Sequence, residues 1–147
     1  FESTIAKVVS LSSVMSIVTG MGGNAGTQSL TILCRGLSLG EVDKDNAFQI
    51  FFKEITVGLL SGIVIGIIVA IGAWWFASNP WFGLVAGLAM ILNMLAANIA
   101  GYLVPVILKR LNIDPALASG VFVTTVTDCM GFFFFLGLAT LFLPLLI

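Results

Sequence analysis

The sequence predicts an all-α, polytopic transmembrane helix bundle of about four spans, with one or more spans broken at glycine-rich sequence. Three observations predict it. The 147 residues are 59% hydrophobic and 9% charged, at a mean hydropathy of +1.16, whereas a soluble domain carries about 25% charged residues. The apolar residues fall in runs of roughly 20 or more, the length a helix needs to cross a bilayer. The charges gather between those runs and at their ends, while Asp128 stands deep inside the last one. The whole chain, 1–147, reads as one transmembrane, ion-conducting domain with spans at about 5–33, 54–77, 81–108 and 115–147.

The first span carries Ser10, Ser12, Ser13, Ser16 and Thr19, then Gly20-Met21-Gly22-Gly23-Asn24-Ala25-Gly26. Ser12, Ser16, Thr19 and Gly23 share one helical face. The glycine cluster is expected to bend or break the helix, which is tolerated at membrane depth where backbone is buried in protein or lines a cavity. A charged connection follows from Arg35 to Lys53, and the second span begins near Glu54. Gly58, Gly62 and Gly66 form a small-xxx-small pattern there, and the third span carries Gly83, Gly87 and Gly101. Such residues let helix backbones approach closely. Asn93 and Asn98 read as interhelical hydrogen-bond partners. Ser78-Asn79-Pro80 makes a tight turn between the second and third spans. Asp114 and Pro115 are suited to the N-cap and first turn of the last span.

Topology follows from the cations. The Arg35–Lys53 and Lys109–Asp114 loops hold Arg35, Lys44, Lys53, Lys109 and Arg110, while the opposite side has only Lys7. The positive-inside rule places both loops in the cytoplasm of a multi-pass cell-membrane protein. Trp74, Trp75 and Trp81 mark the opposite interface. The net charge of -1 excludes a basic nucleic-acid surface. Cys34 and Cys129 read as small buried hydrophobes without a disulfide. The chain opens on Phe1 without Met and without a signal peptide, so a fragment or processed chain is expected.

Asp128 is the candidate ion-binding residue. A carboxylate in the hydrocarbon layer costs roughly 2.5–3.5 kcal/mol on insertion scales and survives beside a partner, a wet cavity or an ion. Gly120, Thr124, Asp128 and Gly131 are spaced 4, 4 and 3, with Thr127 beside them. One carboxylate is thin coordination for a divalent ion. A two-fold homodimer axis beside this stripe would pair two of them, matching Mg²⁺, which keeps much of its water shell when few carboxylates are available. Thr124, Thr127, Gly120 and Asn24 would line the pore with weaker contacts. The absence of His and of a paired Cys motif argues against zinc or copper. No nucleophile–base pair or metal-hydrolase motif is present, so an enzyme is not expected.

Three stretches carry a family resemblance, the charged link through Phe51-Phe52-Lys53-Glu54-Ile55 and Val57-Gly58-Leu59-Leu60 fitting the same family as the two that follow. Gly22-Gly23-Asn24-Ala25-Gly26-Thr27-Gln28-Ser29, followed by Arg35-Gly36-Leu37, resembles the glycine–asparagine signature of the MgtE magnesium channels. Asp114-Pro115-Ala116-Leu117-Ala118-Ser119 and Thr124-Thr125-Val126-Thr127-Asp128 resemble that family's last-helix motif. Gly120 stands where some members carry asparagine. The resemblance implies a five-helix membrane domain working as a homodimer, with the pore at the dimer interface between segments like the first and last here. It places the family's pore aspartate on Asp128. It also implies cytoplasmic N-terminal and CBS sensor domains in the full-length protein, and that this chain starts after the family's first helix. The expected function is Mg²⁺ conduction across the lipid bilayer. The alternative is a secondary divalent-cation transporter coupled to H⁺ or Na⁺, since a broken helix beside an intramembrane acid also suits a carrier.

Overall fold

A computed structural model describes residues 1–43 and 45–147, and the side chains of Leu117 and Ala118 also lie outside what it describes. Lys44, one of the cations used for topology, is therefore outside the described residues. Every element is helical: α1 Glu2–Lys7, α2 Ser10–Ser38, α3 Ala47–Ala77, α4 Pro80–Arg110, α5 Pro115–Leu141 and α6 Leu143–Leu146. Among the described residues, α3, α4 and the Ser119–Leu141 part of α5 are long and apolar enough to cross a membrane. α2 has comparable length, but its many Ser, Thr, Gly, Asn and Gln residues hold its apolarity below theirs.

The helix ends follow local chemistry. Asn79 caps α4, its Oδ1 accepting from the Trp81 N–H at 2.9 Å, with Pro80 at the first helical position. Ser78 before it adopts a left-handed backbone, φ 52°, and closes the turn expected there. Asp114 caps α5 in the same way, through the Ala116 N–H at 3.0 Å. The last span is interrupted at Phe142. Pro144 explains this, because its ring clashes with the carbonyl four residues back.

α2 corrects one expectation. It runs unbroken through Gly20–Gly26. Each interior glycine costs a helix about 1 kcal/mol, whereas each backbone group left unpaired in lipid costs several. The helix therefore persists, and its glycines serve packing instead. The interruption near this end lies at Val8 and Val9, between α1 and α2.

α4 is the central helix, buried along most of its length, and α2, α3 and α5 all pack on it. α2 and α5 also pack on each other, while α2 and α3 scarcely touch. The α3–α4 seam is built on glycine. A methyl group at Gly87 would lie 2.9 Å from the Gly66 carbonyl oxygen, and one at Gly66 would lie 3.0 Å from that of Gly87. Leu11, Val18, Phe82, Met90 and Phe135 fill the core nearer the α3–α4 turn. Trp74, Trp75 and Trp81 are exposed around that turn. At the opposite end the last turns of α2 and α4 meet, where the Lys109 Nζ donates to the Leu37 carbonyl at 3.3 Å. Cys34 is half-buried, but Cys129 is exposed rather than buried as expected.

Candidate ion pathway

The expected site residues divide between two sides of the α2–α5 contact. That contact is close because it uses small residues. A methyl at Gly23 would lie 3.8 Å from the Thr127 hydroxyl oxygen, one at Gly26 2.7 Å from a Val123 methyl, and one at Gly131 2.8 Å from the Thr19 methyl. Thr127 is wholly buried in this seam, and its hydroxyl donates to the Thr124 carbonyl at 2.9 Å. It was expected to line a pore. It lies inside the subunit, against α2. Asp128, about 100° further round the helix, flanks the seam and is half-buried. Thr124 and Gly120 are exposed, with the Thr124 hydroxyl donating to the Gly120 carbonyl at 2.9 Å.

On α2, Asn24 is exposed and lines an open groove of about 670 Å³ with Met21, Thr27, Gln28, Thr31 and Ile32. Thr27 and Thr31 donate to carbonyls of their own helix at 2.8 Å each. Such back-bonding makes an exposed hydroxyl tolerable in lipid. The side chains of Asn24, Gln28 and Asp128 make no such bond, so they carry the polarity of this face. Sequence reading missed Gln28 and Thr31. Their signal was present, since 24, 28 and 31 are spaced 4 and 3 like the stripe on α5. Ser12 and Ser16 are exposed, but Thr19, expected on their face, is buried against Gly131.

Among the described residues no three His, Cys, Asp or Glu side chains come together. Asn93 is wholly buried where α2, α4 and α5 meet. Its Nδ2 donates to the Val18 carbonyl at 2.8 Å, as expected of an interhelical partner. A methyl group at Gly22 would collide with this amide. Glu54 stands at a span boundary by sequence and is instead 8% exposed. Its Oε2 accepts the Ser29 hydroxyl at 2.5 Å.

Long apolar helices, a glycine-packed seam and a carboxylate beside an exposed polar face define a multi-pass helical membrane protein. Comparison with known proteins gives the family. The model of the MgtE family, described as a divalent cation transporter, matches residues 15–138, and the chain belongs to that family. Proteins named magnesium transporter MgtE are similar throughout. Those of Bacillus subtilis and Enterococcus faecalis are each 35% identical, over 143 and 145 residues. That of Thermus thermophilus is 34% identical over 143 residues. Each match covers 97% of this chain and 32% of the relative, so the chain spans about a third of their length.

Proposed function

We propose that the chain forms the membrane pathway of a Mg²⁺-selective channel, and that two copies meet along the α2–α5 face. α2 crosses the membrane beside α5, giving four crossings, with the Arg35–Lys53 and Lys109–Asp114 loops in the cytoplasm. Asp128 and the partner subunit's Asp128 hold one hydrated Mg²⁺ between them. The observation that carries this reading is Asp128 itself, a half-buried carboxylate on an apolar helix that packs on α2, whose own exposed face carries a polar groove. Two carboxylates balance the ion's charge. Its water shell presents hydrogens outward, so the pathway needs acceptors. The carboxylates, the Asn24 amide oxygen and the spare lone pairs of Thr124 supply them. The names of the relatives support Mg²⁺ as the ion.

The carrier alternative drew on a broken helix beside an acid. α2 is unbroken, which removes that support. The sensor domains implied by the family resemblance would regulate this pathway from the cytoplasmic side. Mg²⁺ uptake into proteoliposomes tests the reading. Asp128→Asn keeps the side-chain shape and removes the charge, so uptake should fall sharply while assembly persists. Uptake equal to that of the parent protein would refute it.

A further inference from the structure

Glu54 is the only buried carboxylate of the seven in the chain. Glu2, Glu41, Asp43, Asp45 and Asp114 are exposed and Asp128 is half-buried. It stands two turns into α3, where its Oε2 accepts the Ser29 hydroxyl of α2 at 2.5 Å. The same hydroxyl lies 3.4 Å from the Asn98 carbonyl oxygen of α4. One serine, itself 3% exposed, thus bonds α2 to α3 through its single proton and touches α4. Glycines make room for the junction. A methyl at Gly101 would lie 2.8 Å from the Ser29 Cβ, and one at Gly58 would lie 3.0 Å from the Asn98 Cβ.

A carboxylate is a costly way to fill such a space, and an apolar side chain would pack there without that cost. Beside Glu54 lies a cavity of about 260 Å³, which Glu41 and Lys53 also line. Its lining places it at the charged end of the bundle. The bond to Ser29 matters because α2 and α3 hardly touch elsewhere. Ser29 lies on the back of α2, 100° to 160° round the helix from Asn24, Gln28 and Thr31 at ~100° per residue. Holding the back fixes what the front presents.

We infer that Glu54 is a positioning residue for the ion path: acting through Ser29, it sets the rotation of α2 and so holds Asn24, Gln28 and Thr31 toward the ion. The inference rests on the pore reading above. A carboxamide oxygen can accept the same hydroxyl, whereas a methyl group cannot, so glutamine should preserve what alanine destroys.

The test uses the full chain in liposomes, with Cys34 and Cys129 replaced by alanine and a single cysteine introduced by Gln28→Cys or Thr31→Cys. A charged, water-soluble maleimide should label both positions, and Mg²⁺ should slow the labelling. Adding Glu54→Ala should slow labelling about ten-fold, the scale of one lost hydrogen bond to a charged acceptor. In the cysteine-free background, Glu54→Ala should lower Mg²⁺ uptake to a similar degree. Glu54→Gln should leave both within about two-fold, since the hydrogen bond survives. Should Glu54→Ala not assemble, Ser29→Ala carries the same expectation. If labelling and uptake are normal in the parent and unchanged in the alanine variant, the positioning role is overturned and the pore reading stands. If Glu54→Gln loses uptake while labelling holds, the charge acts by itself and the positioning role is likewise overturned. If the parent neither labels nor takes up Mg²⁺, both readings fall together.

Discussion

Gly87→Ala should destabilise the bundle, while Gly72→Ala on the neighbouring helix should not. In the first variant the new methyl carbon would lie 2.9 Å from the Ala70 Cβ and 2.9 Å from the Gly66 carbonyl oxygen. Carbon atoms rest about 3.5–4.0 Å apart, so α3 and α4 must separate locally by at least about 0.6 Å. A radial gap of ~0.5–1 Å forfeits a quarter to a half of each contact's dispersion energy. Close packing is the main attraction near Gly87, since the Tyr102 hydroxyl donates to the Ala47 carbonyl at 2.7 Å only at the far end of the seam. Overpacking of this kind costs ~1–3 kcal/mol, offset by up to about 1 kcal/mol of helix propensity gained on replacing glycine. The net loss is about 1–2 kcal/mol. At Gly72 nothing stands within 4 Å, so only the propensity gain remains, up to about 1 kcal/mol. Titration of detergent micelles with dodecyl sulfate measures both, with the fluorescence of Trp74 and Trp81 reporting on this end of the seam. The reasoning is refuted if the two variants unfold at the same dodecyl sulfate fraction.

The remaining predictions concern the pathway. Cysteine introduced by Thr124→Cys should crosslink between subunits more readily than cysteine introduced by Phe133→Cys. The two positions are nine residues apart and therefore about 180° around α5, and both are exposed. Equal crosslinking at both positions, or none at either, would remove the paired Asp128 arrangement. Asn24→Ala leaves the α2–α5 seam untouched and removes one acceptor from the groove. Altered conductance or ion preference in a normally assembled dimer is expected, read by planar-bilayer recording. Unchanged currents would confine this part of α2 to packing.

Much of the fold was legible because membrane helices announce themselves by length, and their ends by capping chemistry. Ser78-Asn79-Pro80 and Asp114-Pro115 stand where those signals place them. The glycine spacing of α3 and α4 was equally informative, since Gly58, Gly62 and Gly66 all lie buried against α4. The break expected at Gly20–Gly26 was misjudged for a physical reason. Glycine weakens a helix in water, where the freed backbone groups find solvent, but lipid supplies no replacement partner. Backbone hydrogen bonding outweighs propensity, and the same residues become the surface on which α5 and α4 pack.

Periodicity also explains why the site was only partly readable. Thr124, Thr127, Asp128 and Gly131 form one small, polar stripe by spacing, yet the structure buries Thr127 and Gly131 against α2 and leaves Thr124 exposed. A helix–helix seam in lipid and a hydrated pathway select the same residue types, because close backbone approach and water both favour small or hydroxylated side chains. Hydroxyls add to the ambiguity, since Thr124 and Thr127 can each donate to their own helix whichever way they face. A side-chain bond to another helix discriminates better. Asn93 is an amide in a seam, with a partner carbonyl on α2. Asn24 and Gln28 are exposed on α2, and Asp128 is half-buried on α5. Glu54 was missed for the converse reason. It sits beside Lys53 at the edge of an apolar run, where a carboxylate reads as a boundary, and only the approach of Ser29 from another helix reveals it as buried structure. A carboxylate's meaning in this chain is therefore set by what faces it across a helix contact, which neighbouring sequence does not encode.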